Sequence, residues 1–126
     1  RYTFASAVLE AATQVACDDQ PVVCVVFDVE AKGPLGTVAP SSGLLGVALV
    51  LAPARSESQR TLTLRLDQGS AADVTPARSA AAALVAENAL APCLPFFEAL
   101  AHSTSATVVL ALSDHCLLHA QVSGLQ

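Results

Sequence analysis

The stretch RTLTLRLDQ, residues 60–68, alternates leucine with polar residues without a break. Successive side chains of an extended strand point to opposite faces, so Leu62, Leu64 and Leu66 face inward while Thr61, Thr63, Arg65 and Asp67 face out. Such a strand needs a sheet with one face on a core and the other in water, the habit of antiparallel sheets. Upstream, LLGVALVLAP reads as a second strand, ended by Pro53, and ARSESQ is a short polar connection between the two. That order predicts that these two strands pair with each other, antiparallel.

Helices frame the strands. In TFASAVLEAATQVAC, Phe4, Val8, Ala11, Ala12, Val15 and Ala16 recur at helical spacing, which predicts an amphipathic helix with Thr3 as its cap. Asp18-Asp19-Gln20-Pro21 disfavours continuation. The β-branched run PVVCVVFDVE follows as a strand with apolar residues on both faces, Val23, Val25 and Phe27 on one and Val22, Cys24 and Val26 on the other. Polar alternation begins only at Asp28 and Glu30. GPLGTVAPSSG then reads as a turn or loop, and GSAADVTPARS as a linker. In the alanine-rich stretch that follows, residues 82–86 read as a short strand or extended lead-in, Asn88 as a cap, and residues 91–101 as a helix with Pro92 in its first turn. The closing ATVVLALSDHCLLHAQVSG reads as two strands of a hairpin turning at Ser113-Asp114. Helix then strands is thus followed by a second helix then strands.

With 126 residues and an apolar fraction of 53%, the expectation is one α+β domain: helix and strands over 1–68, a linker over 69–79, and strand, helix and hairpin over 80–126. No apolar run reaches the roughly 20 residues of a membrane helix, and residues 1–17 show no basic leader followed by an apolar block, so neither a span nor a signal peptide is expected. The net charge is −5 and the basic residues are scattered, which argues against unaided phosphate-backbone binding, since that needs clustered Lys and Arg. Cys17, Cys24, Cys93 and Cys116 are widely spaced with no C-x-x-C. They read as buried reduced thiols of an intracellular protein.

The densest chemistry lies in SDHCLLHAQV, where His115, Cys116 and His119 fall within five positions. On a strand, His115, Leu117 and His119 share one face while Cys116, Leu118 and Ala120 share the other, which splits the cluster. A helix would stack the histidines as in zinc helices, but the Glu of H-E-x-x-H is absent. No metal is expected. No G-x-S-x-G, P-loop or G-x-G-x-x-G appears, and acidic pairs at element ends read as solvated faces, so no catalytic residue and no cofactor are expected. Abundant Ala- and Val-rich strand surface on a small domain points instead to association with protein partners.

The segment VAENALAPCLPFFEALAHSTSATVVLALSDHCLLHAQVSG, with FASAVLEAATQVAC and APSSGLLGVALVLAP before it, resembles one module of the DNA sliding clamp family, which includes proliferating cell nuclear antigen and the DNA-damage checkpoint clamp subunits. The resemblance implies an antiparallel sheet with two helices on one face, and a non-enzymatic, nuclear scaffold subunit in DNA replication or damage signalling. It implies edge-to-edge assembly, with Leu44, Val47 and Leu49 on one strand, and His115, Leu117 and His119 on the terminal strand, as interface candidates. Clamp subunits carry two such modules and basic inner helices. Residues 4–17 contain no Lys or Arg, so nucleic acid is expected to be met only indirectly. A small dimerising adaptor of roadblock or longin type, or a proteasome-assembly chaperone, is the alternative.

Overall fold

The computed structural model describes residues 2–55, 57–58 and 60–124. Helix α1, Thr3–Asp18, buries Phe4, Ala5, Val8, Ala11 and Val15, a stripe at helical spacing that needs a core on one side only. Thr3 lies inside the first turn, and Tyr2 occupies the cap position without a side-chain capping bond. The helix therefore begins one residue too early for Thr3 to cap it. At its other end Asp19 adopts the left-handed conformation, φ 52°, and donates its N–H to the Val15 carbonyl at 3.0 Å. That conformation is normally glycine's.

Strand β1, Val22–Asp28, pairs antiparallel with β2, Leu45–Leu51, in the register Val22↔Leu51 to Asp28↔Leu45. Between them, within the segment expected as loop, Pro34–Val38 forms a short helix, α2, with proline at its start. Proline is suited to that position because the first helical N–H has no partner to lose. Strand β3, Leu62–Gln68, does not pair with β2. It is an outer strand of a second sheet ordered β3-β5-β4, with β4 at Ala106–Ala111 and β5 at Cys116–Val122. The polar connection after β2 thus joins two sheets rather than closing a hairpin.

The α+β class, antiparallel sheets and the closing β4–β5 hairpin expected from the sequence are observed, whereas the expected pairing of β2 with β3 is not. Residues 82–86 are not a strand: Ala80–Leu84 is a short helix, α3, capped by the Ser79 hydroxyl, which accepts the Ala82 N–H. Alanine's helix propensity prevails there because no neighbouring strand offers ladder bonds. A 3-10 turn, Ala91–Cys93, leads into α4, Leu94–Ala101, whose first turn holds Pro95. The C-terminal end of α4 is closed by Arg60, whose guanidinium donates to the carbonyls of Leu100 at 2.8 Å and His102 at 2.7 Å and, through Nε, to Ser123 at 2.9 Å. A cation there meets the negative end of the helix dipole.

One hydrophobic cluster draws on α1, β1, α4, β4 and β5. Phe4 of α1 meets Phe96 and Phe97 of α4 with ring centroids 5.4 Å apart in both pairs, contacts worth about 1 kcal/mol each beyond area burial. Leu118, Ala120 and Val122 of the central strand are fully buried. Leu66 is not: it is mostly exposed, because β3 lies at the sheet edge and only the central strand is covered along its length.

Candidate interaction surface

The two sheets differ in what they show to the outside. In the register of β1 and β2, Val22, Cys24, Val26 and Asp28 share the inner face with Leu45, Val47, Leu49 and Leu51. Cys24 and Val26 are buried there, and Val47 and Leu49 pack half-buried against the core. Asp28 accepts a hydrogen bond from the buried Ser41 hydroxyl. Ser41 also accepts the Ala89 N–H at 3.0 Å, while Asn88, buried, donates to the Ser42 carbonyl at 3.0 Å and accepts the Leu90 N–H at 2.9 Å. Asn88 is not the expected helix cap, since Leu90 and Cys93 hold the cap positions of the 3-10 turn and of α4; its side chain instead closes its own turn and holds the Ser41-Ser42 turn, which fixes the start of β2.

The opposite face of the same hairpin is apolar and open. Val23, Val25, Phe27 and Val50 are 66%, 64%, 69% and 68% exposed. Their cross-strand neighbours complete the surface: Val23 faces Val50, Val25 faces Ala48, and Phe27 faces Gly46. Val29 and Leu44, both exposed, flank the last ladder pair and extend the strip. Residues 20–27 and 44–54 contain no charged side chain. An exposed, contiguous apolar patch free of charge is the composition of an interface centre rather than of a solvated face.

The outer face of the second sheet is the reverse. Arg65 lies opposite His119 in the register, and its guanidinium meets the Asp67 carboxylate at 2.9 Å and His119 Nδ1 at 3.3 Å. The hydrogen bond from the Gln68 backbone N–H, then the one from Arg65, hold the Asp67 carboxyl below its ordinary value. His119 is half-buried within this group and His115 is exposed at the turn. Leu117, expected on the open face, is buried. The linker covers it: a Cβ at Gly69 would stand 2.2 Å from the Leu117 side chain. Further along, Thr75 is stitched to β4, its N–H donating to the Val109 carbonyl at 2.9 Å and its hydroxyl accepting the Val109 N–H at 2.8 Å. The linker region therefore caps one sheet edge.

Of the residues expected at an interface, Leu44 is exposed beside the hairpin strip, Val47 and Leu49 face the core, Leu117 and His119 lie on the other sheet, and His115 lies in the turn that leads into it. Val23, Val25, Phe27 and Val50 went unnamed as candidates, although the uncharged run of residues 20–27 with apolar side chains on both alternating faces was their signal.

Burial raises the Cys93 thiol to about 11, and burial, then the nearby Glu10 charge, raises that of Cys24. Both stay protonated at neutral pH, as packing groups rather than nucleophiles. Among the described residues no three His, Cys, Asp or Glu side chains come together in a metal-binding group, and no helix is long and apolar enough to cross a membrane. Compared with protein-family models, curated proteins and solved structures, the chain shows no match.

Proposed function

We propose that this chain is a non-enzymatic assembly subunit that joins protein partners through the outer face of the β1–β2 hairpin. The observation that carries the reading is the uncharged strip of Val23, Val25, Phe27 and Val50, each about two-thirds exposed. The same sequence gives its other sheet an outer face with threonine, arginine, aspartate and histidine along β3 and β5, with Leu117 there buried beneath the linker, so the apolar strip is not a by-product of an apolar composition. The resemblance to a sliding-clamp module supplies the setting: an intracellular, nuclear scaffold in DNA replication or damage signalling. The acidic end of α1, Asp18-Asp19, and its lack of Lys and Arg leave DNA contact to partner subunits. The second reading is a small dimerising adaptor or assembly chaperone, favoured by the pairing of bulky Val25 and Phe27 with small Ala48 and Gly46 across the exposed face.

The test is the mass, by size-exclusion light scattering, of the assembly that contains this chain when isolated from its native source. The expected mass exceeds that of the bare chain and falls to it for Val25→Lys. A bare-chain mass for the unaltered protein across concentrations, or an assembly indifferent to Val25→Lys, overturns the reading.

A further inference from the structure

Which partner the strip fits is written in its relief. Along β1 the outward side chains are Val23, Val25 and Phe27, and across from them on β2 stand Val50, Ala48 and Gly46. One strand is a ridge, and the other descends to a notch at Gly46, where no Cβ fills the space beside Phe27. A two-fold axis parallel to the strands and midway between β1 and β2 lays the ridge of one copy over the low strip of the other. Phe27 then enters the notch at Gly46 of the second copy, Val25 rests on Ala48, and Val23 meets Val50. Sheets stacked in this way stand about 10 Å apart, the distance that side chains of this size fill.

From this relief we infer that the occupant is a second copy of this chain, in a closed, face-to-face pair of hairpins. The inference rests on the assembly reading above and names its partner. The exposed side chains of Val23, Val25, Phe27, Val29, Leu44 and Val50 offer on the order of 600 Å² per copy, so complete closure removes at most about 1,200 Å² in total, the lower bound of specific interfaces. Charge permits it at the centre: the chain is acidic, net −5, but residues 20–27 and 44–54 contain no charged residue, and Asp28 shares the inner face, where it accepts the Ser41 hydroxyl, so like charges are kept off the middle of the contact. An isologous contact of this kind closes on itself and does not propagate.

The test is sedimentation equilibrium of the recombinant chain over a hundredfold range of concentration, with circular dichroism as the check on folding. The mass is expected to rise from one chain to two and stop. Val25→Lys is expected to abolish the pair. Gly46→Leu is expected to raise the dissociation constant at least tenfold by filling the notch, and its first added carbon makes only ordinary contact, 3.6 Å from Phe27 Cβ. Gln14→Lys, exposed on α1, is expected to leave pairing unchanged. Mixing Val25→Lys with Ala48→Glu chains is expected to restore a two-chain mass that neither shows alone, because the lysine faces the glutamate across the axis.

A single-chain mass at every concentration, growth beyond two chains, or a pair indifferent to both Val25→Lys and Gly46→Leu overturns the inference. Should the recombinant chain stay single while the native-source assembly remains large and sensitive to Val25→Lys, the second copy is wrong and the assembly reading stands. Should both be single, both fall.

Discussion

The two sheets begin from similar strands and end with opposite surfaces. In β3-β5-β4 the inner face is leucine, valine and alanine, while the outer face carries Thr63, Arg65, Asp67, Gln121 and His119, joined by an ion pair and partly roofed by the linker. In β1–β2 the inner face is apolar up to Asp28, and the outer face is valine, phenylalanine, alanine and glycine, left open by the described residues. Burial explains apolar residues on one side of a strand only. An apolar second side with no charge and no cover is left for something outside the chain, since solvated sheet faces are built as β3 is built.

The sharpest break between the sheets is reached through the core. Leu118→Ala, at the fully buried centre of β5, is expected to cost about 3 kcal/mol in chemical denaturation, from lost burial and the cavity left behind. Next, Asn88→Ala is expected to cost about 2 kcal/mol, because it leaves the buried Leu90 N–H without its acceptor and releases the Ser42 carbonyl that Asn88 now holds. If the hairpin is held in place through that turn, hydrogen exchange in β1–β2 rises more than in β3-β5-β4.

A gain is expected at the end of α1. Asp19→Gly relieves a left-handed aspartate and removes a negative charge from the negative end of the helix, for about 1 kcal/mol of added stability, read as a higher Tm. Smaller still, Val25→Thr is expected to change the stability of the single chain by less than about 0.5 kcal/mol when measured at high dilution, since nothing in the fold rests on its outward side chain. A loss as large as that of Leu118→Ala places Val25 in the core and cancels the contrast.

The least effect concerns pH. The Glu98 carboxylate accepts the backbone N–H groups of Ser79 at 2.8 Å and Arg78 at 3.0 Å, and the Ser79 hydrogen bonds, side chain first, hold its carboxyl below its ordinary value. Its folded value is depressed, so its contribution is present above the unfolded value, about 4.3, and is lost as pH falls through the folded one. Glu98→Gln is therefore expected to flatten the acid limb of the stability curve slightly, with no change in pairing at neutral pH.

Elements whose signal is local were legible in the sequence. The stripe of Phe4, Val8, Ala11 and Val15 identifies α1, the leucine alternation identifies β3, and Ser113-Asp114 marks the turn between β4 and β5. Residues 82–86 were misread as extended because the run of alanines from Ala80 to Ala83 carries no apolar-polar period, and only the absence of a neighbouring strand decides for the helix Ala80–Leu84. Strand partnership was also beyond reach: β2 follows the logic of a hairpin with β3 in sequence, yet pairs with β1, and Leu117 is covered by a linker whose path no local pattern encodes. The interaction strip joins both cases. The sequence by itself determined that residues 22–27 are apolar on both faces. Only the tertiary structure decided which face takes the core, because α1 can pack against one side of a hairpin and leaves Val23, Val25 and Phe27 on the other.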